Sequence, residues 1–314
     1  TSGGGGPVVI MDVNRPIRVP SRVPLLNVHR AKVVDFDFNP FNPDLLATIS
    51  EDCTAKISVL PSANWDEWKD NVTQPAASLE GHTKKLSLCH FHPTANNIFA
   101  ASDYAWQVKI WDIEKQACVL TNTDHPDLIQ SFEFNRVGNS MGTTCKDKMV
   151  RIYDPRTNEI AQCAQGFQGG KSARFIWMDR LGLIAATGFS RTSTRRVAIW
   201  DPRNLATRLT TVDLDQSAGV MMPFFDEDTG LLFVAGKGDG SVKYFEMIKE
   251  APYAHFVDEY RTNNPQKGID FLPKRCCDVG KCEIARALRL LREGIEPVPF
   301  VVPRKSEMFQ DDIF

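Results

Sequence analysis

The segments whose residue types could carry chemistry are few, and each lacks one thing that chemistry needs. Gly236-Lys237-Gly238-Asp239-Gly240 is spelled like a phosphate-cradling loop. It leads into Ser241-Val242-Lys243-Tyr244-Phe245, a strand pattern, so no helix N-terminus supplies the amide donors an anion requires. Asp226-Glu227-Asp228-Thr229-Gly230 has the carboxylates and glycine of a calcium loop, but Lys237 stands where a bidentate glutamate is needed. His90 and His92 share one face of a strand and have no third metal ligand nearby, which makes them a structural pair. Cys276, Cys277 and Cys282 lack CxxC spacing and read as buried or free thiols. Asn71-Val72-Thr73 spells a glycosylation sequon without any other sign of secretion. No nucleophile lies at a recognisable spacing from a base. The chain is therefore expected to be no enzyme, with no cofactor and no metal.

Composition narrows the function classes further. The 314 residues carry 37 Lys+Arg against 39 Asp+Glu, a net charge of −2, which disfavours nucleic-acid binding as a bulk property. No apolar run approaches the roughly 18 residues of a membrane span. With 42% hydrophobic residues the chain is long and apolar enough to fold into one large domain or two ordinary ones. It opens at Thr1 with no basic segment or apolar run of a secretory signal. Eight scattered cysteines suit reduced, buried thiols of a cytosolic protein.

The elements that must position these residues come from a repeat. A His-containing turn, an alternating strand, a second apolar strand, an Asp-containing turn and a strand closing on an aromatic and an acid recur in order. One copy runs from Gly81-His82 through Leu86–His92 and Ile98–Ser102 to Val108-Lys109-Ile110-Trp111-Asp112. The next passes His125, Ser131–Phe134 and Asp147 to Val150-Arg151-Ile152-Tyr153-Asp154, and two more close on Trp200 and Phe245. The closing aromatics Trp111, Tyr153, Trp200 and Phe245 recur at steps of 42, 47 and 45 residues. A degenerate copy runs from His29 to Lys56–Val59, residues 255–303 supply one more, and Val8–Val13 is a fragment of the first.

This period, with Gly-His at one end and Trp-Asp at the other, predicts WD-repeat propeller blades. The expected fold is all-β: a seven-bladed propeller over 1–297, its first blade incomplete, followed by a C-terminal extension, 298–314, that packs on it through Phe309 and Phe314. In such blades the turn His, a Ser or Thr, the turn Asp and the closing aromatic form a buried hydrogen-bond chain, because each polar group would otherwise be desolvated unpaired. The predicted network takes His82 with Trp111, then His125, Thr144, Asp147 and Tyr153 as one set, with Trp200 and Asp239 in later blades. Ala105 stands in blade 82–112 where Asp147 stands in the next, with Asp103 as a substitute reached through a longer turn. Residues 281–293 are rich in helix formers, yet Cys282, Ile284, Leu288 and Leu290 share strand parity; the two signals conflict, and a strand is expected because the family resemblance drawn below places one here and tertiary context overrides propensity.

Several segments go beyond a generic repeat. Leu79-Glu80-Gly81-His82-Thr83-Lys84-Lys85, His92-Pro93-Thr94-Ala95, Lys146-Asp147-Lys148 and Thr187-Gly188-Phe189-Ser190-Arg191 are four of them. Tyr244-Phe245-Glu246, Lys281-Cys282-Glu283-Ile284-Ala285-Arg286, Val302-Pro303-Arg304-Lys305-Ser306 and Phe309-Gln310-Asp311-Asp312 continue the series. Together, in this order, they resemble the coronin family. That resemblance implies a cytoplasmic protein of the actin cytoskeleton that binds filamentous actin, influences filament organisation and turnover, and meets other actin regulators. It also implies a coiled coil for self-association, of which this chain holds no heptad segment, and a basic actin-contacting position in the part of the first blade that the chain lacks.

The loops supply a candidate surface for that partner. Lys84 and Lys85 follow Gly-His in a turn entering a blade, and Lys146, Lys148, Arg191, Arg195, Arg196 and Lys237 lie in turns between second and third strands. Both turn classes of a propeller emerge on one face, so these eight cations are expected to form a basic rim that steers and binds an acidic filament. The alternative is a general WD-repeat scaffold for protein assembly without direct actin contact, in which the same cations are solvated loop charges.

Overall fold

The computed structural model describes residues 6–11, 23–61, 68 and 70–303. Almost every regular element is a strand, and the strands form antiparallel sheets of neighbours in sequence. We call the large sheets blades 1 to 6 and their strands a to d in chain order. Blade 1 comprises Val33–Phe38, Leu45–Ser50, Thr54–Val59 and Ala77–Glu80. Blade 2 comprises Leu86–Phe91, Ile98–Asp103, Val108–Asp112 and Ala117–Asn122, and blade 3 Ile129–Phe134, Met141–Cys145, Met149–Asp154 and Glu159–Gln165. Blade 4 is Arg174–Met178, Leu183–Phe189, Arg195–Asp201 and Asn204–Asp215, and blade 5 Met221–Asp226, Leu231–Gly236, Ser241–Met247 and Ala254–Arg261. Blade 6 has three strands, Gly268–Phe271, Glu283–Leu290 and Ile295–Val301, and a two-stranded sheet pairs Val8–Val9 with Leu25–Leu26. The chain divides between Phe167 and Gln168 into two compact units, the first holding the small sheet and blades 1 to 3, the second blades 4 to 6.

Burial alternates with the two-residue period of a pleated sheet along Ala77–Glu80 and Glu283–Leu290. Strand b of each blade lies between its neighbours on both sides, and Leu183–Phe189 and Met141–Cys145 are buried at every residue. In the first unit, Ala47, Ile49, Ala55 and Ile57 of blade 1 pack with Cys89, Phe91, Phe99 and Trp111 of blade 2. In the second, Ile176, Leu183, Ile199, Leu232 and Phe245 close blade 4 on blade 5, and Phe233, Ala287, Val298 and Phe300 close blade 5 on blade 6. The innermost strand of blade 2 also takes polar support from blade 1: the Cys89 N–H donates to Asp35 Oδ2 at 3.1 Å and the Phe91 N–H to Asp37 Oδ2 at 2.8 Å.

The segment with helix-forming composition is indeed a strand, Glu283–Leu290. Its buried face is the one opposite to the apolar parity of the sequence: Glu283, Ala285, Ala287 and Arg289 are buried, while Ile284 and Leu288 are half-buried and Leu290 is exposed. The small alanines let blade 5 approach, and the two charged members of that face are paired, Glu283 with Arg286 and Arg289 with Glu296. The boundary between 297 and 298 is corrected as well. Val298–Val301 continue strand c of blade 6, pairing Val298 with Ala287 and Phe300 with Ala285. Arg304, Lys305, Ser306, Phe309 and Phe314 of the expected extension lie outside the described residues. Of the eight cysteines, none is disulfide-bonded; Cys89, Cys145 and Cys282 are buried, and Cys118 and Cys163 are exposed, so burial holds for only part of the set.

Candidate functional site

Within each blade the register brings two loop classes to one edge. The first residue of strand a pairs with the last of strand b, as in Leu86 with Asp103 and Ile129 with Cys145. The turn entering a blade and the turn between strands b and c therefore emerge together. In blades 1 to 4 the b–c turn has one geometry: the fourth residue donates its N–H to the carbonyl of the first, as Cys53 to Ser50, Trp106 to Asp103, Lys148 to Cys145 and Ser193 to Ser190. That fourth residue is left-handed in all four, with φ of 68°, 65°, 72° and 63°. Blade 5 closes the same way, Asp239 to Gly236, but places its left-handed residue one position earlier, at Gly238.

The eight cations of the expected rim separate into four groups. Lys84, Lys148, Arg191 and Lys237 are exposed and make no ion pair among the described residues. Lys85 is exposed but lies 3.6 Å from Glu51 and 4.5 Å from the centroid of the Tyr104 ring, and Lys146 lies 3.8 Å from Asp127. Arg196 is half-buried and paired with Asp213 at 2.5 Å. Arg195 does not belong to a rim. Its guanidinium is buried, donates through Nε and Nη2 to Asp215 at 2.6 and 2.8 Å, and reaches Asp239 through Nη1. Arg195 opens strand c, where the pleat turns it towards the neighbouring blade instead of towards solvent. Gly236 makes this possible, since a Cβ there would lie 1.9 Å from Asp239 Oδ2 and 2.2 Å from Arg195 Nη1. Burial opposes ionisation of Asp215, but the bonds from Arg195 and Lys243 outweigh it and hold its pKa down at about 2.

The histidine networks form, with other members than the sequence suggests. In blade 1, the copy that reads as degenerate, His29 Nδ1 meets Asp52 Oδ2 at 3.0 Å and Nε2 meets Thr48 Oγ1 at 2.9 Å. In blade 3, His125 Nε2 meets Thr143 Oγ1 at 3.1 Å and Nδ1 meets Asn122 Oδ1 at 3.1 Å. Thr144 and Asp147 are thus not its partners. Thr144 points to the other side of the sheet, where its hydroxyl meets Ser131 at 2.7 Å, and Asp147 pairs with Arg151. Tyr153 packs its ring 5.2 Å from that of His125, and its hydroxyl has no partner among the described residues. In blade 2, His82 Nδ1 meets Asp103 Oδ2 at 2.8 Å. The turn is no longer than the others; Asp103 reaches the histidine from the last position of strand b.

One register position decides which histidines are satisfied. The b-strand residue opposite Lys56, Lys109 and Arg151 is Thr48, Ala101 and Thr143 in blades 1 to 3. Where it is alanine, His82 Nε2 and Trp111 Nε1 have no hydrogen-bond partners among the described residues. The same position holds Ala186 in blade 4 and Val234 in blade 5, and there the polar work passes to arginine. Trp200 is covered by the Arg208 guanidinium, 4.8 Å from the ring, and Asp239 takes Arg195 together with Ser217 Oγ at 2.9 Å. Arg289, wholly buried, donates to Gln266 Oε1 at 2.8 Å, Glu296 Oε2 at 2.7 Å and the Asn264 carbonyl at 2.6 Å. Sequence reasoning missed Arg289 and Gln266; the only signal was an arginine on the alanine-bearing parity of its strand. It also missed Tyr104 and Trp106, two exposed aromatics in a turn already marked by the absence of aspartate at Ala105.

Two of the segments weighed for chemistry have structural roles. Gly236–Gly240 is a b–c turn, and His92 Nε2 meets the Gly138 carbonyl at 2.9 Å while its Nδ1 accepts from the Ala95 N–H at 2.9 Å. Among the described residues no three His, Cys, Asp or Glu side chains form a metal-holding group, and no helix is long and apolar enough to cross a membrane.

Comparison with known proteins places this geometry. Residues 73–112, from the last strand of blade 1 through strand c of blade 2, match the WD domain, G-beta repeat, and residues 295–314 match a further type of WD40 repeat. The chain is similar to the crystal structure of the WD40 domain of Toxoplasma gondii coronin, with a TM-score of 0.92, 31% identity and coverage of 99% of this chain and 80% of that one. The class is therefore an all-β propeller of WD40 blades. It is 38% identical to coronin-2A of Homo sapiens over 99% of its length, 39% identical to the coronin-like protein crn1 of Schizosaccharomyces pombe over 100%, and 40% identical to coronin-A of Dictyostelium discoideum over 100%. The chain belongs to the coronin family. It spans 60%, 52% and 69% of those three relatives' lengths.

Proposed function

We propose that this chain is a non-catalytic binder of filamentous actin, and that it engages the filament through the cations at its blade turns. The observation that carries the reading is the set Lys84, Lys148, Arg191 and Lys237: four exposed turn cations, each without an ion pair among the described residues. An unpaired cation on a turn costs solvation energy only when a partner's carboxylate replaces its water, and the pairing is then charge-assisted. Lys85, Lys146 and Arg196 join by exchanging their present carboxylates for those of the filament. Arg195 is excluded, because it is buried. On this reading the protein acts in the cytoplasm at the actin cytoskeleton, influences filament organisation and turnover, and meets other actin regulators there. The two-stranded sheet at Val8–Val9 and Leu25–Leu26 is, on the same reading, part of a seventh blade.

Co-sedimentation with actin filaments over a salt series tests this. Saturable binding that weakens with salt, and that falls at least about tenfold on changing Lys84, Arg191 and Lys237 to Ala and Lys148 to Asn, is expected. Asparagine is chosen at 148 because it tolerates the left-handed backbone there. Absence of pelleting at low salt by the folded chain turns the reading to a propeller scaffold that docks other proteins.

A further inference from the structure

The b–c turn of blade 2 is built at odds with its own backbone. Its left-handed position, φ 65°, is held by Trp106, where the equivalent positions of blades 1, 3 and 4 hold Cys53, Lys148 and Ser193. A bulky aromatic in this region is a steric outlier, and a glycine or asparagine would relieve it. Strain of this kind persists only where surrounding contacts impose it. Here they do: Asp103 Oδ1 accepts the N–H of Ala105 at 2.8 Å and of Gln107 at 3.2 Å, clamping the residues on both sides of Trp106, while Trp106 N–H donates to the Asp103 carbonyl at 3.1 Å. Asp103 is itself wholly buried and bonded to His82.

This strained indole is not buried in return. Trp106 is 42% and Tyr104 43% exposed, two neighbouring aromatics at the tip of one turn. Lys85 Nζ sits 4.5 Å over the Tyr104 ring, and the Tyr104 N–H is tied to the Lys85 carbonyl at 3.0 Å, so the turn entering the blade and the b–c turn present one continuous patch. Lys84 is exposed beside it. Aromatic rings flanked by cations, rigid at little entropic cost, are the composition of interface hot spots.

We propose that Trp106, with Tyr104 and Lys85, is the anchor by which this chain grips the actin filament, an acidic protein surface that offers an apolar contact to the indole and carboxylates to the two lysines. This rests on the filament-binding reading above and adds to it an aromatic contact that supplies affinity where the turn cations supply steering. Glu51, 3.6 Å from Lys85, holds the lysine in place until a partner carboxylate displaces it.

Co-sedimentation with actin filaments at fixed salt, together with thermal melting, tests the anchor. Trp106→Gly is expected to weaken filament affinity at least about tenfold while leaving the melting temperature unchanged or raising it, since glycine fits the left-handed position. Cys53→Gly, the same exchange at the same turn position of blade 1, is the control and is expected to bind as the wild type. A Trp106→Gly variant that pellets like the wild type overturns the anchor while leaving the filament reading in place. Equal weakening by both glycine variants also overturns it, by assigning the effect to turn rigidity and not to the indole. A folded wild type that never pellets overturns the anchor and the filament reading together.

Discussion

In blades 1 and 3 a buried histidine bridges a b-strand threonine and a side-chain oxygen, Asp52 in one and Asn122 in the other. In blades 4 to 6 the corresponding polar work is done by two buried arginines, Arg195 between Asp215 and Asp239, and Arg289 among Gln266, Glu296 and a carbonyl. In the first arrangement the histidines are neutral: burial pushes His29 below its ordinary pKa despite Asp52, and burial with the nearby Arg151 charge brings His125 down to about 4. The second is ionic and keeps its charges, burial of Arg195 being outweighed by its bonds to Asp215 and Asp239. A histidine bridge tolerates the loss of one member, as in blade 2, where His82 Nε2 has no hydrogen-bond partner among the described residues. A buried cation does not, because the group left behind carries a full uncompensated charge.

That contrast can be broken at several points. The largest effect is expected from Arg195→Ala, which leaves Asp239 without its cation and Asp215 with Lys243 alone; a loss of about 3–5 kcal/mol, or roughly 10 °C in Tm, should follow. A shift of only a degree or two would mean that water replaces the guanidinium at no cost. Acid separates the two chemistries next. His125 is neutral when folded and protonates near 6.5 when unfolded, so its contribution is complete above pH 6.5 and is lost as pH falls towards about 4. Blade 3 should therefore lose about 2 kcal/mol of protection between pH 7 and 5. Asp215, held down at about 2, contributes above pH 3.8 and loses it only as pH falls towards about 2, so this pair stays whole in blades 4 and 5 over the same interval. Hydrogen exchange corrected for intrinsic rates would show it, and equal losses in both units would erase the distinction.

Smaller changes sharpen the comparison from inside the first unit. Thr143→Val makes blade 3 resemble blade 2, leaving His125 Nε2 unpaired; about 1–3 kcal/mol should be lost in a denaturant titration. The reverse exchange, Ala101→Thr, restores in blade 2 the hydroxyl that blades 1 and 3 possess. A gain of about 1 kcal/mol is expected, and a loss would show that the space beside Ala101 is already filled.

Much of this architecture is legible in the residues. The period of the closing aromatics locates strand c in blades 2 to 5, and a turn histidine (His29, His82, His125) marks the entering turns of blades 1 to 3, because both signatures are local. What is not legible is parity. Thr143 and Thr144 are adjacent and identical, and only the register opposite Arg151 says which of them faces the histidine. Arg195 reads as one more cation of a turn, since its burial depends on Asp215 and Asp239, carboxylates 20 and 44 residues away. Trp106 reads as an unremarkable turn residue until its backbone angle is known. Strand Glu283–Leu290 shows the opposite limit: its type is legible, its buried face is not, because Arg289 is satisfied by partners outside the strand.

The carboxylates of Asp35 and Asp37 have a consequence for the chain as a solute. Strand a of blade 2 is an edge of its sheet, and an edge with open amides is a template on which another molecule can add a strand. Because the Cys89 and Phe91 amides already donate to two side-chain carboxyl groups, they are not open to an incoming backbone carbonyl. Two aspartates in one blade thereby act as a guard against aggregation in the next.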